Sequence, residues 1–195
     1  MGQYYAIAFK DANGIHTNDR KVEGDGYCMA KLMEHSYFGV YIVDSVAKQL
    51  EDTDTRLAWV GDYANEIEKQ DDGTEVGEVE KATNFDISHK DVWADNPKNP
   101  MVFNRVEFDY GGKYLVNHDK KVYISFDNYL KDKNPKEDWV INPIPLLTVI
   151  GNGRGGGDYE GTNMEYVGSW IWDLLSIEKE IPEGYEELPL TFKEN

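Results

Sequence analysis

The chain of 195 residues holds a single cysteine, Cys28, so no intrachain disulfide can form and no cysteine zinc cluster can be assembled. That usage suits a reducing compartment. Long apolar runs are missing as well: nothing approaches the ~18 to 20 consecutive apolar residues of a membrane span. The opening MGQYYAIAF also lacks the basic start and unbroken apolar stretch of a secretory signal. A cytoplasmic location is therefore expected. The four histidines, at 16, 35, 89 and 118, never stand four apart, and H-E-x-x-H is absent, so neither a metal site nor a cofactor is expected. There is no G-x-S-x-G elbow, and Cys28 lacks a recognisable catalytic context. Cations are scarce too: 20 basic residues face 37 acidic ones, a net charge of −17. A field of that sign repels a polyanion, which argues against direct nucleic-acid binding.

The aromatic supply is ample, with 5 Trp, 13 Tyr and 7 Phe. A chain of this length buries roughly 70% of its unfolded surface and needs no metal or disulfide to hold a core. No low-complexity seam divides it. The expectation is one α+β domain over 1–195, with a mainly antiparallel mixed sheet, one or two helices and long loops.

Gln3 to Phe9 reads as a strand, and Asn13-Gly14 as a tight turn leading to a second strand. Residues 27–37 fit a short helix as well as a strand. Val40, Val43, Ala47 and Leu50 recur at helical spacing, so 40–50 is the clearest amphipathic helix. TRLAWV at 55–60 is a candidate central strand stopped by Gly61-Asp62, and 113–125 reads as a hairpin turning at His118-Asp119-Lys120. Pro143 and Pro145 exclude a helix from 139–150, leaving Leu146 to Ile150 as a strand. Strand-like runs around 172–179 and 188–192 are joined by Pro182-Glu183-Gly184. Between 63 and 100 the chain is polar and acidic, an insertion rich in loop.

Charge is unevenly spread. Residues 51–95 carry a net −10 and 158–194 a net −8, whereas 105–136 carry a net +2. Within the insertion, Glu66, Glu68, Asp71, Asp72, Glu75, Glu78 and Glu80 form a candidate acidic surface. Its plain reading is a solvated loop. Displayed carboxylates can also imitate the phosphates of DNA and enter a basic cleft, gaining electrostatic steering on the way.

The run Gly151-Asn152-Gly153-Arg154-Gly155-Gly156 matches G-x-G-x-x-G. A dinucleotide site needs a helix directly after it, to aim backbone N–H groups at a pyrophosphate, and Gly157, Asp158 and Gly161 continue as loop. A Walker loop is excluded because Gly157 and Asp158 stand where Lys and Ser/Thr are required. Two readings remain. The glycines supply positive φ to a structural loop tied down by Arg154 and Asp158, or they admit a ligand to Asn152, Arg154, Asp158, Tyr159 and, from the neighbouring WVGDYA segment, Tyr63. Weak catalytic candidates are His35, Asp62 and His118, as an imidazole held by a carboxylate. Plainer roles are a core histidine, a turn aspartate and a turn histidine.

The phrases MGQYY, LMEHSYFG, AWVGDYA, YLVNHDKK, PIPLLTVIGNGRGGGDYEG and EKEIPEGYEEL together resemble a family of uncharacterised bacterial and phage-encoded proteins. The resemblance covers nearly the whole chain outside 65–100. It implies no catalytic residue and no cofactor, but a bacterial or mobile-element protein acting in the cytoplasm. It thereby favours a protein-binding role, because phage accessory proteins often block host enzymes. The first expectation is an acidic macromolecule-binding protein that inhibits a host nucleic-acid-handling or defence system. Its partner would be a protein with a basic nucleic-acid-binding cleft, with no membrane involved. The alternative is a small enzyme or nucleotide-binding protein with its site at the glycine-rich and strand-end loops.

Overall fold

The computed structural model describes residues 2–14, 31–61, 106–131 and 139–195. The insertion expected at 63–100, and with it the carboxylates from Glu66 to Glu80, lies outside the described residues. Asp62 and Tyr63 lie outside them too.

The described chain folds into one mixed seven-stranded sheet with helices, an α+β architecture. β1 (Tyr5–Lys10) pairs antiparallel with β2 (Thr55–Gly61), and the strand expected after Asn13-Gly14 lies outside the described residues. The turn itself is present, with Gly14 at φ 80° and its N–H donating to the Asp11 carbonyl. β3 (Tyr114–Asn117) and β4 (Val122–Ser125) make the expected hairpin. β5 (Val149–Ile150) runs parallel to β2, β6 (Leu174–Glu178) lies between β2 and β3, and β7 (Glu186–Glu187) runs parallel to β4 at the edge.

β2 is central, as its unbroken apolar run implies. Leu57 and Trp59 enter the main core, while Ala58 and Val60 face a smaller cluster with Ala8, Ile150 and Trp172. Helix α1 is short (Leu32–His35), and α2 (Tyr41–Asp52) is the amphipathic helix read from its spacing. Ile42, Val43, Val46, Ala47 and Leu50 line one face of α2 and are all buried in the main core.

Two helices arise where the pattern hides them. α3 (Phe126–Lys131) follows β4 without a loop, and the Ser125 hydroxyl accepts the Asn128 N–H to begin it. α4 (Pro143–Thr148) corrects the exclusion of a helix by Pro143 and Pro145. Both prolines sit in the first turn, where N–H groups have no intrahelical partner, so neither removes a hydrogen bond. Ile144 between them keeps its N–H and donates it to the Asn142 side chain at 3.0 Å, which caps the helix. Leu146 to Thr148 therefore belong to α4, and only Val149 and Ile150 are strand. Likewise no strand forms at 188–192, where one was expected; the strand of the tail is β7, two residues long, at 186–187. Among the described residues no helix is long and apolar enough to cross a membrane.

Candidate functional site

The glycine loop runs from the end of β5 to Tyr159. Gly151, Gly153 and Gly157 adopt φ of 96°, 89° and 87°, a region costly for other residues. The loop curls so that the N–H groups of Gly153, Arg154 and Gly155 converge at 2.8, 2.8 and 2.9 Å on one oxygen, Oδ2 of Asp158. Successive amides pointing at one spot form an anion-binding concavity. Here the anion is the chain's own carboxylate. Its other oxygen accepts the Tyr5 hydroxyl at 2.6 Å, which ties the loop to β1.

The surroundings close the loop further. The Gln3 side-chain amide donates to the Gly151 carbonyl at 2.7 Å and to the Tyr5 hydroxyl, while the Gln3 N–H reaches the Gly156 carbonyl. A Cβ on Gly155 would lie 2.4 Å from that of Gln3, so glycine is required there by close approach. Asn152 clamps Tyr159 with both halves of its amide: Oδ1 accepts the Tyr159 N–H at 2.7 Å, and Nδ2 donates to the Tyr159 carbonyl at 3.1 Å. The Tyr159 side chain is buried, and its hydroxyl accepts the Lys193 N–H and lies 2.8 Å from the Thr162 carbonyl. Arg154 is half-buried in the loop. After the loop comes only a three-residue 3-10 turn, Met164–Tyr166, so the helix that a dinucleotide site requires does not follow. Of the residues read as a binding set, Asn152, Asp158 and Tyr159 thus spend their polar groups inside the chain.

The weak catalytic candidates fall in different places. His35 ends α1, with Nδ1 3.2 Å from the Lys31 carbonyl, and α1 leans on the glycine loop through the Met33 N–H to the Gly157 carbonyl. His118 stands far off. The glycine loop packs at the Gly61 end of β2 through Gln3 and Tyr5, whereas the His118 N–H donates to Leu174, the residue that pairs with Arg56. β2 has 7 residues, which puts about 20 Å between those ends. His118 and Asp158 therefore do not share a site.

A different set gathers around His118. Its Nε2 lies 2.8 Å from the Ser176 hydroxyl and its Nδ1 3.2 Å from the Tyr185 hydroxyl, with the two rings edge to face. Ligand atoms of Asp54, His118 and Glu178 all lie within 4.8 Å of one another. They come from three adjacent strands: Asp54 immediately precedes β2, Glu178 ends β6 and His118 immediately follows β3. Register sets Glu178 opposite Tyr114 and the His118 N–H on Leu174, so it is the side chains, not paired backbone positions, that meet. Ser176 and Glu178 share one face of β6, opposite Leu175 and Ile177 of the core. Two nearby cations are committed elsewhere. Arg56 pairs with Asp119 at 2.6 Å, and Lys120 pairs with Asp173. Burial alone would raise the Asp119 carboxyl, but Arg56 and the Leu174 N–H outweigh it and hold it below the usual range. Separations of about sixty residues leave no short-range motif for Asp54 and Glu178, so sequence reasoning found only His118.

Beyond β6 the chain forms an acidic ribbon. Glu180, Glu183, Glu186 and Glu187 are exposed, and no Lys or Arg lies between 180 and 187. Among the described residues none of the four joins an ion pair. β7 fixes Glu186 and Glu187 on the sheet edge, and Asn128 donates to Glu187 at 2.7 Å. Comparison with known proteins finds no matching family model, no similar curated protein and no similar solved structure.

Proposed function

We propose that the chain is an acidic macromolecule-binding protein of bacterial or phage origin that engages a basic, nucleic-acid-binding cleft on another protein and so inhibits a host nucleic-acid-handling or defence system. The observation that carries this reading is the ribbon Glu180 to Glu187, four exposed glutamates that join no ion pair among the described residues. Unneutralised carboxylates on a pinned sheet edge project a field that accelerates encounter with a basic surface. The display of Glu186 and Glu187 on β7 costs the fold little, because charged residues at an edge also discourage strand-to-strand aggregation.

The alternative, a small enzyme or nucleotide-binding protein at the glycine loop, draws less support. The converging amides that would receive a phosphate already hold the Asp158 carboxylate.

The test is capture of partners from bacterial lysate by the immobilised chain and by a variant with Glu180, Glu183, Glu186 and Glu187 all changed to Gln. The expected result is a nucleic-acid-binding protein retained at low salt, released by high salt or by competing duplex DNA, and lost with the variant. Equal capture by both forms, or a partner indifferent to salt and DNA, overturns the reading.

A further inference from the structure

We propose that Asp54, His118 and Glu178 form a binding site for one divalent transition-metal ion of the Zn²⁺ or Mn²⁺ type. The inference is independent of the acidic ribbon and of the partner-binding reading.

Spacing is the first argument. The three ligand atoms lie within 4.8 Å of one another, yet His118 makes no ion pair with either carboxylate within 4.0 Å. The groups are too far apart to neutralise each other directly and close enough to share a cation. Ligands bound at about 2.1 Å from a metal stand roughly 3.0 to 3.5 Å apart, so the set must contract by about 1 Å. Asp54 is exposed and Glu178 half-buried, and rotation of these two side chains supplies that movement.

Charge is the second argument. Two carboxylates held together repel each other, and a shared cation removes that cost. Among the described residues no lysine or arginine forms an ion pair with Asp54 or Glu178, and Arg56 and Lys120 are paired with Asp119 and Asp173.

The third argument is the hold on the imidazole. Both ring nitrogens face hydroxyls, the buried Ser176 at Nε2 and Tyr185 at Nδ1. On binding, one of these contacts gives way to the metal and the other orients the ring, the supporting role that partners of metal-bound histidines play. One imidazole nitrogen with two carboxylate oxygens selects borderline ions such as Zn²⁺, Mn²⁺ or Co²⁺ over Mg²⁺, which prefers oxygen and water alone. Three protein ligands leave positions for water, so the site would be open and hydrated.

The experiment uses the full chain, stripped with EDTA and exchanged into metal-free buffer, then titrated by calorimetry with Zn²⁺, Mn²⁺ and Mg²⁺ separately. The expected result is saturable binding of one Zn²⁺ per chain, with Mg²⁺ far weaker. His118→Gln and the pair Asp54→Asn/Glu178→Gln should each weaken Zn²⁺ binding at least about tenfold. Glu165→Gln, an exposed carboxylate elsewhere, should leave it unchanged. Should His118→Gln fail to fold by circular dichroism, Asp54→Asn carries the test, read by loss of the visible absorption of bound Co²⁺. Absence of stoichiometric binding, or variants that bind as tightly as the parent, overturns the proposal.

Discussion

The two ends of β2 use the same kinds of group in opposite ways. At the Gly61 end, an aspartate, a tyrosine hydroxyl and three glycine-loop amides are matched to one another inside the chain. At the Thr55 end, two carboxylates and a histidine gather without an ion pair among them. The end that looks like a ligand site in the sequence is filled by the protein itself, and the end without a motif keeps two carboxylates outside any ion pair among the described residues, beside a histidine held only by hydroxyls. A glycine-rich run thus advertises backbone freedom, whereas the capacity to bind depends on polar groups left over once the fold has taken its share.

The contrast is sharpest in stability. Asp158→Ala leaves three loop amides and the Tyr5 hydroxyl without their acceptor, and should cost about 3 kcal/mol or more in urea denaturation. Asp54→Asn, at an exposed carboxylate that joins no ion pair among the described residues, should change stability by less than about 0.5 kcal/mol. Comparable losses for the two substitutions would break the comparison.

A smaller effect sharpens it within one end. Glu51, three residues before Asp54, is a committed carboxylate: hydrogen bonds from Lys113 and Lys48 hold it down to about 2 from an ordinary 4.5. Because its folded value lies below its unfolded one, the unfolded chain binds the extra proton between them. Its contribution is fully present above about pH 4.5 and is lost as pH falls toward 2. Glu51→Gln should flatten the acid limb of a stability-versus-pH profile in that window, by about 1 kcal/mol or less given its solvent screening.

Much of the fold was legible because it depends on local periodicity. The apolar spacing of 40–50 gave α2, the β-rich run at 55–60 gave β2, and the turn at 118–120 gave the β3/β4 hairpin. Misreadings occur where position within an element decides. Pro143 and Pro145 would break a helix interior but are harmless in a first turn, and only the Asn142 cap reveals which applies. The same holds for the site. His118 and the glycine loop stand out by residue type, but the occupant of the loop is set by how Asp158 and Tyr5 meet across 153 residues. Asp54 and Glu178 become neighbours of His118 only through the strand order β2-β6-β3, which no stretch of sequence displays.

The central claim, that the chain's own carboxylate occupies the glycine loop, is tested most directly by amide hydrogen exchange at Gly153, Arg154 and Gly155, followed by NMR. Slow exchange at all three in the parent chain and fast exchange in Asp158→Ala is the predicted pattern. Unprotected amides in the parent, or protection that survives the substitution, would contradict it.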